Sequence, residues 1–268
     1  MNSVEYANRL ILAILCLCLV IGVSCESNSP LAKQTDVSQT ETPVKINPTP
    51  TMLPTPKELP ATVELESQEL LVLVPPGSEA SIDGVLDAEE WGAALPVDLE
   101  GEGQLFLMHT GGYLYLGVRV KPEPVTSICV DQGEQVSILH SSAALGSAIY
   151  QRGDETWKQI KEFEWCCRET TDSPQAQGAR QAQLLQDGWV ASNGRMGNSE
   201  EVEYQIAFPG DTLRLSVNSI GAPDYETVTS WPADLSDDCS GLEMLTGPVP
   251  EQAVFSPDQW ISLTLSPE

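Results

Sequence analysis

From Ala61 to the C-terminus, apolar residues recur at every second position, and this constrains the fold more than any other feature of the chain. Leu114, Leu116, Val118 and Val120 alternate with Tyr113, Tyr115, Gly117 and Arg119. The same alternation places Val202, Tyr204, Ile206 and Phe208 against Glu201, Glu203 and Gln205, and Leu213, Leu215 and Val217 against Arg214, Ser216 and Asn218; it returns in Ile261, Leu263 and Leu265. A period of two sends successive side chains to opposite faces, which is the pattern of a half-buried strand. Turn signals punctuate the strands at Gly111-Gly112, Asn193-Gly194 and Pro209-Gly210-Asp211, and at Asp187-Gly188, between a strand at 183–185 and another at 189–191. Many short strands with almost no helical periodicity predict an all-β chain folded as an antiparallel β-sandwich. The one expected helix is a single turn: Asp87 caps Ala88, Glu89 and Glu90, and Trp91 drops onto a sheet.

The N-terminal part of the 268-residue chain is of another kind. Residues 10–23 form an uncharged apolar run after Arg9, which suits the h-region of a secretory signal and is short for a membrane span. Gly22-Val23-Ser24-Cys25 resembles a bacterial lipobox, with Gly22 where an aliphatic residue is usual. That resemblance implies lipidation of Cys25, and acyl chains at about 0.8 kcal/mol per buried methylene would hold the mature protein on the cell membrane. Between Glu26 and Pro60, seven prolines sit among Ser, Thr, Gln and Asn with no hydrophobic period, so the stretch lacks the apolar surface to fold. The expected organisation is a signal peptide at 1–24, the lipidated cysteine and a disordered Pro/Thr-rich linker at 25–63, and a sandwich domain at 64–268. The expected location is extracytoplasmic and lipid-anchored.

Setting aside Cys16, Cys18 and Cys25 leaves Cys129, Cys166, Cys167 and Cys239, an even number in an oxidising compartment, which predicts two disulfides. A bridge between adjacent Cys166 and Cys167 closes a strained ring, so each is expected to reach a distant partner, in either of the two remaining pairings. Zinc is disfavoured because no Cys-x-x-Cys spacing occurs.

The formal net charge is −26, which excludes nucleic acid as a partner, since phosphate binding needs a basic stripe. No His-Glu-x-x-His, Gly-x-Ser-x-Gly, P-loop or strand-linked Gly-x-Gly-x-x-Gly occurs, so no enzyme is expected. Calcium is a possible ligand: Asp234, Asp237 and Asp238 form an acid cluster that could offer oxygens to Ca²⁺, though without EF-hand spacing, and an exposed turn beside Cys239 is the competing reading. His109 continues the parity of Leu105 and Leu107, as a hydrogen-bonded core or edge histidine would, and His140 ends the strand at 136–139.

Tryptophan is plentiful, with six residues, and an indole face can stack on a sugar ring while polar neighbours hold its hydroxyls. Trp157, Phe163 and Trp165 share a parity and Arg168 follows, so Trp157, Trp165, Arg168 and Trp189 are the candidate ligand-binding residues; the competing reading is a core stripe. The small-residue run 141–148 allows close backbone approach, to a ligand or to a neighbouring strand.

Two blocks, Ile82-Asp83-Gly84-Val85-Leu86-Asp87-Ala88-Glu89-Glu90-Trp91 and Tyr113-Leu114-Tyr115-Leu116-Gly117-Val118-Arg119-Val120, resemble the opening of a family 9-like carbohydrate-binding module, a β-sandwich of the DOMON-like superfamily. The resemblance implies a non-catalytic, carbohydrate-binding sandwich in which aromatics clamp a sugar and Ca²⁺ supports the structure. Haem-carrying DOMON relatives use Met and His ligands, for which Met108, His109, His140 and Met196 are the candidates here. A haem redox domain is therefore one alternative expectation, and a cell-envelope assembly protein without a small ligand is another. Oligomeric state is open.

Overall fold

The computed structural model describes residues 71–99, 103–167, 173–194 and 199–267. The lipobox cysteine Cys25, the linker, Arg168 and Met196 lie outside them. Two sheets face each other, as the alternation predicts. One contains β1 (Leu71–Val74), β14 (Ile261–Leu265), β11 (Thr212–Ile220), β5 (Val125–Asp131), β6 (Gln135–Ser141), β7 (Leu145–Arg152), β8 (Trp157–Cys166) and β13 (Gln252–Ala253) in that order, with β12 (Thr229–Trp231) pairing to β11. The other runs β2 (Leu95–Asp98), β3 (Gln104–Thr110), β4 (Tyr113–Arg119), β10 (Glu201–Ala207) and β9 (Trp189–Asn193). Apart from the parallel β1–β14 pair, neighbouring strands are antiparallel. Gly111 and Gly112, at φ 58° and 81°, form the two-residue turn that joins β3 to β4 with Thr110 opposite Tyr113, the geometry that matches strand twist.

The central core lies between the sheets and includes Leu105, Leu107, Leu116, Val118, Ile128, Tyr204, Leu215 and Leu263. Tyr204 ties the layers together by donating its hydroxyl to the Thr126 carbonyl at 2.9 Å. Each sheet is also covered on its outer face. Residues 75–94 lie over the five-stranded sheet, packing Ala80, Leu86 and Trp91 against Met108 and Tyr115. Residues 232–260 cover the larger sheet, setting Cys239, Met244, Phe255 and Trp260 against Cys129, Ile138, Tyr150 and Trp157.

The Ile82–Trp91 block is architectural. Asp87 accepts from Glu89 N and caps α1 (Ala88–Trp91), and Trp91 is buried, as expected. Its anchors are two carboxylates on β10. Glu201 accepts from Leu86 N, and the fully buried Glu203 accepts from Asp83 N and Gly84 N on one oxygen and from the Trp91 indole on the other. Burial pushes Glu203 up to about 7, against the pull of those donors. The polar face expected for β10 is therefore roofed rather than solvated.

A longer helix, α2 (Pro174–Asp187), corrects the strand and hairpin expected around 183–191. Ser173 accepts from Ala176 N, Pro174 occupies the first turn, and Gly188 takes the left-handed conformation at the C-cap. Asp187-Gly188 thus ends a helix. Only the strand after it, β9, is as expected.

The cysteine pairing also differs from expectation. All four cysteines are bridged, but as Cys129–Cys239 and Cys166–Cys167. Cys129 and Cys239 meet under the cover of the larger sheet, whereas Cys166 and Cys167 pack toward the inter-sheet core, so neither pair can reach the other. As the chain leaves β8, Cys167 adopts φ 53°, and the two adjacent cysteines are bridged to each other across a single peptide bond.

Candidate functional site

An aromatic platform lies on the outer face of the larger sheet. Register places His140 of β6 opposite Gly146 of β7, and Gly146 opposite Trp165 of β8, in one row. Gly146 has no side chain to lift its neighbours: a Cβ there would stand 3.0 Å from both the Phe163 and Trp165 rings. The two rings stack at 5.1 Å and 27°, and His140 meets both edge-on, at 5.6 and 5.4 Å. Trp165 remains 47% exposed. The small-residue run therefore accommodates the aromatic side chains of a neighbouring strand.

A pocket of about 310 Å³ adjoins the platform, walled by Ile220, Tyr225 and the segment 244–247 that includes most of α3 (Glu243–Thr246). Tyr225 holds φ 51°, a sparsely populated conformation for a residue with a side chain, and donates its hydroxyl to Glu123 at 2.6 Å. No charged side chain lines the pocket among the described residues.

His140 gives the pocket its polar character. Ser127 Oγ donates its only proton to the Met244 carbonyl at 2.9 Å, so the 2.9 Å contact with His140 Nδ1 requires that nitrogen to carry a proton and donate. Burial lowers the imidazole to about 4, which keeps the ring neutral. Nε2 is then the lone-pair acceptor of a ring that lines the pocket. Ser142 and Thr246 add hydroxyl oxygens nearby.

The candidates from sequence are dispersed. Trp165 is in the site. Trp157 is on the same sheet face but 5% exposed, donates to the Phe255 carbonyl at 3.1 Å and belongs to the core. This corrects its reading as a ligand contact, because residues 232–260 cover that end of the sheet. Trp189 is 2% exposed and stacks on Tyr204 between the sheets, away from Trp165.

The acid cluster is a clasp. Asp237 accepts from Cys239 N on one oxygen and from Ser256 N and the Trp260 indole on the other, and Asp238 accepts from Val254 N. Asp234 is exposed, and among the described residues no three acidic, His or Cys side chains converge as a metal site. In the set named for calcium, Asp234, Asp237 and Asp238, backbone and indole N–H groups thus occupy both Asp237 oxygens and one of Asp238.

Of the haem candidates, Met108 packs on the outer face of the smaller sheet, and His109 donates from Nε2 to the Ser266 carbonyl at 2.9 Å. His140 is on the outer face of the other sheet, so these three do not share a site. His140 is legible in the sequence only as a strand-end histidine and a haem candidate, although its position facing a Gly-containing strand is an available signal. Tyr225 and Met244 carried no signal at all, since segments distant in sequence bring them there.

No family model and no curated protein matches the chain. Among solved structures, a crystal structure of a "putative carbohydrate-binding protein" from Bacteroides uniformis superposes with a TM-score of 0.40 at 11% identity, covering 74% of this chain and 100% of that one. A likeness this distant bears on neither ligand nor site.

Proposed function

We propose that the sandwich binds a neutral carbohydrate without cleaving it, through Trp165, Phe163 and His140. The observation that carries this reading is the half-exposed indole stacked over bare Gly146 backbone beside an uncharged pocket. An aromatic face supplies the apolar contact a sugar ring needs, and an acceptor such as His140 Nε2 orients a hydroxyl. The volume is at the lower end for ligand pockets, which suits one sugar residue, such as a chain end, rather than a buried polymer. Among the described residues no carboxylate lines the pocket, which supports binding rather than glycoside cleavage, a reaction that needs a pair of them. The family 9-like reading of residues 82–91 and 113–120 is compatible with this site, which those blocks do not themselves form.

Glycan-array and calorimetric measurements provide the test. Trp165→Ala is expected to weaken sugar binding at least about ten-fold while leaving the unfolding temperature nearly unchanged, because the ring is half exposed. An array on which wild type binds no glycan removes the proposal and leaves an assembly role; binding unaffected by Trp165→Ala relocates the site.

The lipobox-like Gly22-Val23-Ser24-Cys25 supports a further part of the proposal, that the domain is displayed on the cell membrane by lipidated Cys25 through the Pro/Thr-rich linker. Metabolic labelling with palmitate should mark the wild-type chain, and Cys25→Ala should abolish the label and release protein from the membrane fraction. Label retained in Cys25→Ala refutes the anchor.

A further inference from the structure

The two disulfides differ in what can reach them. Cys129 and Cys239 are fully buried under the cover of the larger sheet. Cys166 and Cys167 are only partly buried where the chain leaves β8, so a thiol in solution meets their bridge first. That bridge closes the strand that carries the platform. The β7–β8 ladder ends with Gly146 opposite Trp165 and Leu145 opposite Cys166. On its other side β8 pairs with β13 only at Trp157 and Lys158, and among the described residues no strand pairs with it there beside Trp165. A strand end bonded along one side opens readily. Here the bridge restricts backbone rotation at the two residues that follow Trp165, and Cys167 sits at φ 53°, which residues with a side chain seldom adopt.

We infer that Cys166–Cys167 is a thiol-exchange site at which a dithiol reductant loosens the end of β8 and so disorders the Trp165 platform. A thiolate of the reductant attacks one bridge sulfur, breaking the S–S bond, forming a mixed disulfide and releasing the other cysteine as a thiol. The reductant's second thiol then displaces the remaining cysteine. Two electrons and two protons pass to the pair, leaving two cysteine thiols and an oxidised, disulfide form of the reductant. With the ring open, Cys167 is free to leave its left-handed conformation, and the last β7–β8 bonds fray with it. Phe163 and His140 then lose the neighbour they pack against. That sugar affinity falls as the platform loosens rests on the reading of the platform as the sugar site.

The test treats the folded wild-type chain with dithiothreitol, blocks free thiols with iodoacetamide and maps them by mass spectrometry. Cys166 and Cys167 are expected to be alkylated while Cys129–Cys239 stays closed. Amide hydrogen exchange over residues 163–167 should accelerate on reduction, and sugar affinity should weaken about five-fold or more. Re-oxidation with glutathione disulfide should reverse both changes. The inference is overturned if Cys129–Cys239 opens first, or if the reduced and oxidised chains exchange alike over 163–167. Faster exchange with unchanged affinity overturns it as well. An oxidised chain that binds no glycan defeats the sugar reading instead, and hydrogen exchange, which needs no sugar, still decides whether reduction loosens the platform. Cys166→Ser with Cys167→Ser should match the reduced wild type and ignore dithiothreitol; a double variant that matches the oxidised chain refutes the switch. Because thiol mapping and exchange need only the wild-type chain, a failure of that variant to fold leaves the inference open to refutation.

Discussion

His140 shows how burial sets chemistry at the scale of one residue. Its pKa falls to about 4 because the charged ring would lose its hydration, whereas in the unfolded chain it titrates near 6.5. Between those values the unfolded state binds the proton and the folded state does not. The stability contributed by the neutral ring is therefore complete above pH 6.5 and is lost as pH falls from 6.5 toward 4. Glu203 works in the opposite sense: its carboxyl, raised to about 7, keeps a proton in the folded state where the unfolded one has released it, so its effect weakens the fold as pH rises from about 4.5 to 7. The two slopes oppose each other in wild type, and removing His140 should expose its share. On going from pH 7 to 4.5, wild type should lose about 2 kcal/mol more stability than His140→Gln in urea unfolding; parallel profiles would show that the ring is solvated. Sugar affinity through Nε2 should stay level down to about pH 5.

Individual elements show where the pattern of the sequence sufficed and where it was ambiguous. Strands β4, β10, β11 and β14 were legible because one face of each packs into a common core, which imposes a strict period of two. The α2 helix was not, although Ser173-Pro174 at its start and Gly188 at its end are the expected signals. Its Ala- and Gln-rich middle has few apolar residues to mark a face, and the Asp-Gly pair at its end serves hairpins and helix caps equally well. Strand β8 carries register shifts against β7, which interrupt its alternation near Lys161. Strand β4 also has a feature that the alternation could not explain, Gly117 on the face expected to be polar. A Cβ at Gly117 would stand 2.5 Å from Leu86 Cδ2 and 3.2 Å from the Trp91 ring. Gly117→Ala should therefore cost about 1–3 kcal/mol by displacing the 82–91 block, measured as a lowered unfolding midpoint with a perturbed Trp91 environment. An unchanged midpoint would mean that the block is not firmly seated.

For the whole molecule, the consequential fact is that each sheet carries a covering segment on its outer face, which over the larger sheet leaves one end open. The cover of the larger sheet is fastened by Cys129–Cys239, a bridge with a sequence separation of 110, and by the Asp237 clasp. A loop that long constrains the unfolded chain strongly, so Cys129→Ser with Cys239→Ser should lower stability by about 2–5 kcal/mol in denaturant titration. Because the cover also forms a wall of the platform pocket, the same variant should weaken sugar binding even where it remains folded. Retention of full stability would show that packing alone holds the cover in place.

The sequence by itself determined the class of fold, the strands with one core-facing side, the Asp87 cap, the buried Trp91 and the presence of an aromatic stripe near the cysteines. Each depends on neighbours along the chain, and local periodicity and capping record such neighbours directly. Only the tertiary structure decided which aromatic is open, which cysteines pair, and which acids serve as anchors. Trp157 and Trp165 share a strand and a sheet face, yet one is covered and the other half exposed, because residues 232–260 lie over one end of the sheet and stop short of the other. The same cover pairs Cys239 with Cys129 and engages Asp237, just as residues 82–91 engage Glu203. Burial by a segment distant in sequence leaves no period in the strand it covers.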